Sequence, residues 1–178
     1  MKKLLFLQVI MLAILSFSSC IKDDIKLPTT SPKAEFDATV TNTPATGLTY
    51  PVLTRVAGYG RPVYTGSPNT DPLITRTSGA IKFRINLVGQ QFSTDQTLTY
   101  KVVATPAGYT AAVSGTHFTT SGTAVISANS SFAEVTVNVL NTGVSSTTPV
   151  VLVLEIVGND QVQPNNNFRF LGISIAQN

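Results

Sequence analysis

The sequence predicts an all-β protein: an antiparallel two-sheet sandwich of seven or eight strands, following a cleaved signal peptide. Three observations predict it. Apolar and polar residues alternate in several separate runs, the two-residue period of a strand with one wet face. The chain is rich in Thr, Ser, Val and Asn, with 12 Gly and 10 Pro in 178 residues, a composition that favours short strands and turns. No segment holds the 3.6-residue apolar period long enough for a sizeable helix.

The chain opens on a different pattern. Lys2 and Lys3 form a positive n-region, Leu4 to Leu15 an apolar h-region, and Ser16-Phe17-Ser18-Ser19 a small-residue approach to Cys20, the only cysteine. The apolar run is too short for a comfortable membrane span. Residues 1–19 are therefore expected to be removed, leaving residues 20–32 as an N-terminal Cys and flexible tether, with Pro28 and Pro32 discouraging regular structure. Residues 33–178 then form a single domain, enough chain to bury about two-thirds of its unfolded surface in one core.

Strands are expected in the following order. Lys33 to Val40 alternates, and Tyr50 to Val56 gives a second run. Ala57 to Pro72 holds Gly58, Gly60, Pro62, Gly66, Pro68 and Pro72 and reads as a long loop or irregular edge. From Gly79, Ile81, Phe83, Ile85 and Leu87 alternate with Lys82, Arg84 and Asn86; Leu98, Tyr100 and Val102 repeat the pattern after a turn. Thr123 to Ser127 is short, and Glu134 to Leu140 turns Val135, Val137 and Val139 inward. Val150 to Val157 is apolar on both faces except at Glu155, the mark of a central strand. Phe168 to Ile175 closes the chain, with a change of inward parity near Gly172 that a bulge would explain. The simplest architecture is an immunoglobulin-like sandwich, with a closed barrel as the rival. The Cys and Trp pattern of true immunoglobulin domains is absent, so the likeness is one of architecture.

Charge excludes one class of partner. The formal net charge of +3 comes from 12 basic and nine acidic residues, and Lys2 and Lys3 leave with the signal. No nucleic-acid footprint survives that loss. Catalysis is not expected either. His117 is the only histidine, no Gly-x-Ser-x-Gly elbow is present, and two of the nine acids, Asp23 and Asp24, sit in the tether. No cofactor is implied. His117 reads as a turn residue bonding a neighbouring loop. The best contact surface lies between Arg55 and Asp71, where Tyr59, Arg61 and Tyr64 stand among glycines with Tyr50 nearby. Tyr rings stack on sugars or partner side chains, and an Arg supplies a directional polar handle.

Two resemblances extend this reading. The run from Lys2 to Cys20 resembles the signal and lipobox of bacterial lipoproteins, with Phe17 where a strict box prefers Leu. It implies that Cys20 becomes the acylated N-terminus and anchors the protein in a lipid bilayer, several chains contributing roughly 0.8 kcal/mol per buried methylene. Lys22-Asp23-Asp24 resembles the export signal of Bacteroidetes lipoproteins, which implies the outer membrane and its exposed face. The second resemblance is to Calx-β-like domains. It rests on Gly115-Thr116-His117-Phe118 and the Gly122 to Leu140 stretch, and covers Gly79 to Asn178. Calcium binding in that family depends on clustered acids, whereas Asp95, Glu134, Glu155 and Asp160 are scattered here and His117 stands where an Asp is usual; no metal is expected. The function that follows is a non-catalytic surface binding or accessory module with a glycan or an envelope protein as partner. The alternative is a structural or assembly component of an outer-membrane complex.

Overall fold

The computed structural model describes residues 31–37, 43–56 and 71–178. These form two β-sheets packed face to face. Eleven strands appear in chain order: β1 (Lys33–Phe36), β2 (Val52–Leu53), β3 (Ala80–Val88), β4 (Gln96–Val103), β5 (Thr110–Ala111), β6 (Phe118–Thr120), β7 (Thr123–Ile126), β8 (Phe132–Val139), β9 (Val150–Gly158), β10 (Gln163–Pro164) and β11 (Phe170–Ile175). Sheet A runs β10-β1-β3-β8-β6 and sheet B runs β2-β11-β9-β4-β7, with β5 paired to β9 beyond the end of β4. All eight runs expected from the sequence contain a strand. The three further strands have two or three residues each, too short to show a period. Ala38 to Val40, the end of the first expected run, lies outside the described residues.

The long pairings β1–β3, β3–β8, β4–β9 and β9–β11 are antiparallel. Three short pairings, β1–β10, β2–β11 and β5–β9, are parallel.

Alternation sets the core. Ile81, Phe83, Ile85 and Leu87 of β3 and Val135, Val137 and Val139 of β8 are buried, and face Leu98, Tyr100, Leu152, Leu154, Ile156, Leu171, Ile173 and Ile175 of sheet B. Burial of such side chains contributes roughly 1.5–3 kcal/mol each. Tyr100 crosses the sandwich. Its ring is buried and its hydroxyl bonds the Thr120 hydroxyl of sheet A, while Thr120 in turn donates to the Thr136 carbonyl at 3.0 Å.

Two expectations are corrected. The β9–β11 register is regular from Phe170↔Glu155 to Ile175↔Val150, so Gly172 is not a bulge. Parity is lost because β11 is buried on both faces: Val52 leans over Gly172, where a Cβ would lie 2.8 Å from Val52 Cγ2. The register shift falls instead between Thr99 and Tyr100, opposite Gly158. Val102 keeps the inward parity of Leu98 and Tyr100, opposite the core residue Leu154, but at 44% exposure it lies outside the core. β7 pairs only with Gln96 to Thr99, so among the described residues no strand pairs with the rest of that edge of β4.

Candidate functional site

The residues singled out from the sequence, Cys20, Lys22, Asp23, Asp24, Tyr59, Arg61 and Tyr64, lie outside the described residues. The stems of the 57–70 loop are described. Arg55 and Leu73 form a bridge, and the Arg55 guanidinium donates to the Asp71 carbonyl. Tyr50 is described too, and it leads to the site.

Sheet B has a built outward face. On β9 the core takes Val150, Leu152, Leu154 and Ile156, so Val151, Val153 and Glu155 point the other way. Val151 and Val153 are nevertheless buried. Tyr50 precedes β2 on one side of the β11–β9 pair, and Tyr109 precedes β5 on the other. The two phenols are within electrostatic range of one another.

An ionic cluster lies on this outward face. Lys101 on β4 and Phe170 on β11 are the direct cross-strand partners of Glu155. Lys101 Nζ lies 3.2 Å from Glu155 Oε2, and Arg169 Nη2 pairs with Oε1. Burial by itself pushes the Glu155 carboxyl up, but hydrogen bonds from Lys101 and Arg169 and their charges outweigh it and hold the group below its ordinary value. The Arg169 guanidinium also lies over the Phe170 ring, 4.8 Å from its centroid, and Phe170 packs on Tyr50 with centroids 5.5 Å apart. Burial raises the Tyr50 phenol pKa, and Tyr109 raises it further.

One sequence signal pointed here. Glu155 is the lone acid in an otherwise apolar strand, and a buried carboxylate requires partners. Its cations are 54 and 14 residues away in sequence, so only the strand order reveals them. His117 sits elsewhere, in the turn before β6. Its Nδ1 accepts the Val113 amide at 2.9 Å, leaving the neutral ring's proton on Nε2.

Three of the domain's acids are committed to other partners. Asp95 caps the Ala128 amide at 2.8 Å, Glu134 pairs with Lys82 at 2.7 Å, and Glu155 is held by two cations. Among the described residues no three His, Cys, Asp or Glu side chains gather where a metal ion would need them. Among those residues, too, no helix is long and apolar enough to cross a membrane.

The fold is a Calx-β-like sandwich. The apo form of the Calx CBD1 domain superposes with a TM-score of 0.53 at 10% identity, covering 84% of this chain and 99% of that one. A two-domain protein of unknown function from Bacteroides fragilis gives 0.52 at 9% identity, covering 88% of this chain and 50% of that one. At such identities the likeness is one of fold. No protein-family model and no curated protein matches the chain.

Proposed function

We propose that this chain is a non-catalytic binding module, anchored by acylated Cys20 in the outer membrane and displayed on the cell surface, where it captures a glycan or a protein. The anchoring part rests on the signal-like run before Cys20 and on Lys22-Asp23-Asp24. The observation that carries binding is the outward face of sheet B, where Tyr50 and Phe170 adjoin the Lys101–Glu155–Arg169 cluster. A binding role fits Glu155 better than an acid–base one. Ionised and gripped by two cations, it holds no proton to give at neutral pH.

Chain length supports display. The twelve residues from Ile21 to Pro32 reach at most about 40 Å. Cys20 would thus keep the Lys33 end toward the bilayer, together with the turn after its partner Val88. The loop carrying Tyr109 follows the far end of β4, which pairs with the early part of β9.

A second reading, assembly with another envelope protein, is favoured by the open edge of β4 around exposed Val102, which a partner strand would complete. A glycan array with the full chain, run beside co-purification from membranes, separates the two. Binding to a polysaccharide supports capture. No glycan binding together with a stoichiometric co-purifying protein supports assembly. Protease accessibility on intact cells tests display, and replacing Lys22-Asp23-Asp24 by alanines is expected to abolish that accessibility. An equally accessible variant would overturn the export role of the tripeptide.

A further inference from the structure

Resting on the proposed binding role, the geometry points to the chemistry of the ligand: we propose that the outward face of sheet B binds a carboxylate-bearing sugar, a uronate unit of a polysaccharide.

The first argument is charge. Two cations, Lys101 and Arg169, share one carboxylate, leaving one positive charge in excess. Exposure sharpens this. The Lys101 side chain is 57% exposed and that of Arg169 33%, whereas Glu155 keeps only 10%. The anion lies underneath and the cations face solvent, so an approaching ligand meets positive charge.

The second argument is donor supply. An ammonium has three N–H donors and a guanidinium five. Lys101 spends one contact on Glu155 and Arg169 spends Nη2 on the same carboxylate; Arg169 Nε is buried, so the spare donors that a ligand could reach are on the Lys101 ammonium and Arg169 Nη1. Donors therefore remain on both cations, while Glu155 has both oxygens engaged. A second carboxylate is the group that such a pair accepts, through charge-assisted bonds.

The third argument is the aromatic border. Phe170 touches both the Arg169 guanidinium and Tyr50, and Tyr109, 39% exposed, is within electrostatic range of Tyr50. Flat rings next to spare cationic donors suit a ligand with an apolar C–H face and a carboxylate on one ring. An acidic peptide would use the cations and leave the rings idle.

The test is calorimetric titration of the detergent-purified full chain with polygalacturonate, its fully methyl-esterified form, and polyglutamate. The first is expected to bind at least about tenfold more tightly than the other two, a difference of about 1.4 kcal/mol. Lys101→Gln, which keeps a donor for Glu155, and Tyr109→Ala are each expected to weaken polygalacturonate binding several-fold with the thermal midpoint little changed. Lys82→Gln, on sheet A, is expected to leave it unaltered. Equal binding of the methyl ester would overturn the uronate assignment and leave the capture role standing. Equal binding of polyglutamate would reduce the face to a charged patch and overturn the assignment, as would unchanged affinity in Lys101→Gln. Failure of all three probes overturns it as well, and the glycan array then decides the capture role independently.

Discussion

Lys101 and Arg169 grip the two oxygens of Glu155 from opposite sides, Lys101 Nζ at 3.2 Å from Oε2 and Arg169 on Oε1. Because the folded protein lowers the Glu155 pKa from its ordinary 4.5, the cluster stabilises the fold above that pH. The contribution is lost as pH falls through the lowered value. Glu155→Gln should cost about 1–2 kcal/mol at pH 7, less than a fully buried pair because both cations are part-exposed. The difference from the unmodified protein should shrink on acidification to about pH 3. Urea unfolding at the two pH values checks this, and a gap that does not change with pH would remove Glu155 ionisation from the account.

Gly158 and Gly108 share a left-handed backbone, with φ of +85° and +87°, but differ in their surroundings. A Cβ on Gly158 would lie 2.2 Å from the Val162 carbonyl oxygen, in the turn where Asn159 Oδ1 accepts the Val162 amide at 2.7 Å; a Cβ on Gly108 meets nothing. Gly108→Ala is expected to cost about 1 kcal/mol for φ alone. Gly158→Ala should cost about 3 kcal/mol or more, because backbone must also move. Similar losses in denaturant melts would show that the close approach carries no weight.

Burial and the nearby Tyr109 both raise the Tyr50 phenol pKa. Tyr109→Phe keeps the ring and removes the second phenolate. Tyr50 is then expected to ionise at lower pH, read from alkaline difference absorbance with Tyr50→Phe assigning the signal. An unmoved Tyr50 titration would show that the two phenols do not interact.

Tyr100 links the sheets through its bond to Thr120. Tyr100→Phe leaves the ring in the core and removes the hydroxyl, at an expected cost of about 1–2 kcal/mol. Thermal unfolding measures it, and an unchanged midpoint would mean that apolar packing alone joins the sheets there.

Strands with strict alternation were legible in the sequence because each has one wet face. Ile81 to Leu87 and Val135 to Val139 are examples, and their burial follows the two-residue period. The apolar residues on both faces of Val150 to Val157 announced the central strand. β5 and β10 were not legible, since two residues carry no period and their pairing comes from neighbours brought by the rest of the fold. Gly172 misled for a related reason: its missing side chain makes room for Val52, a contact between residues 120 positions apart. The site was half legible. Tyr50 and Glu155 stand out in sequence, but the strand order β11-β9-β4 brings Arg169 and Lys101 to them.

The central claim, that the outward face of sheet B is the binding face, is tested most directly by comparing two aromatic deletions on opposite sheets. Tyr109 lies exposed beside sheet B, within electrostatic range of Tyr50, whereas Phe132 lies exposed under Arg84 on sheet A, 4.2 Å from its guanidinium carbon to the ring centroid. Retention of the full chain on immobilised polysaccharides should fall several-fold for Tyr109→Ala and stay unchanged for Phe132→Ala. Loss in Phe132→Ala with full retention in Tyr109→Ala would place the binding face on the other sheet and contradict the account.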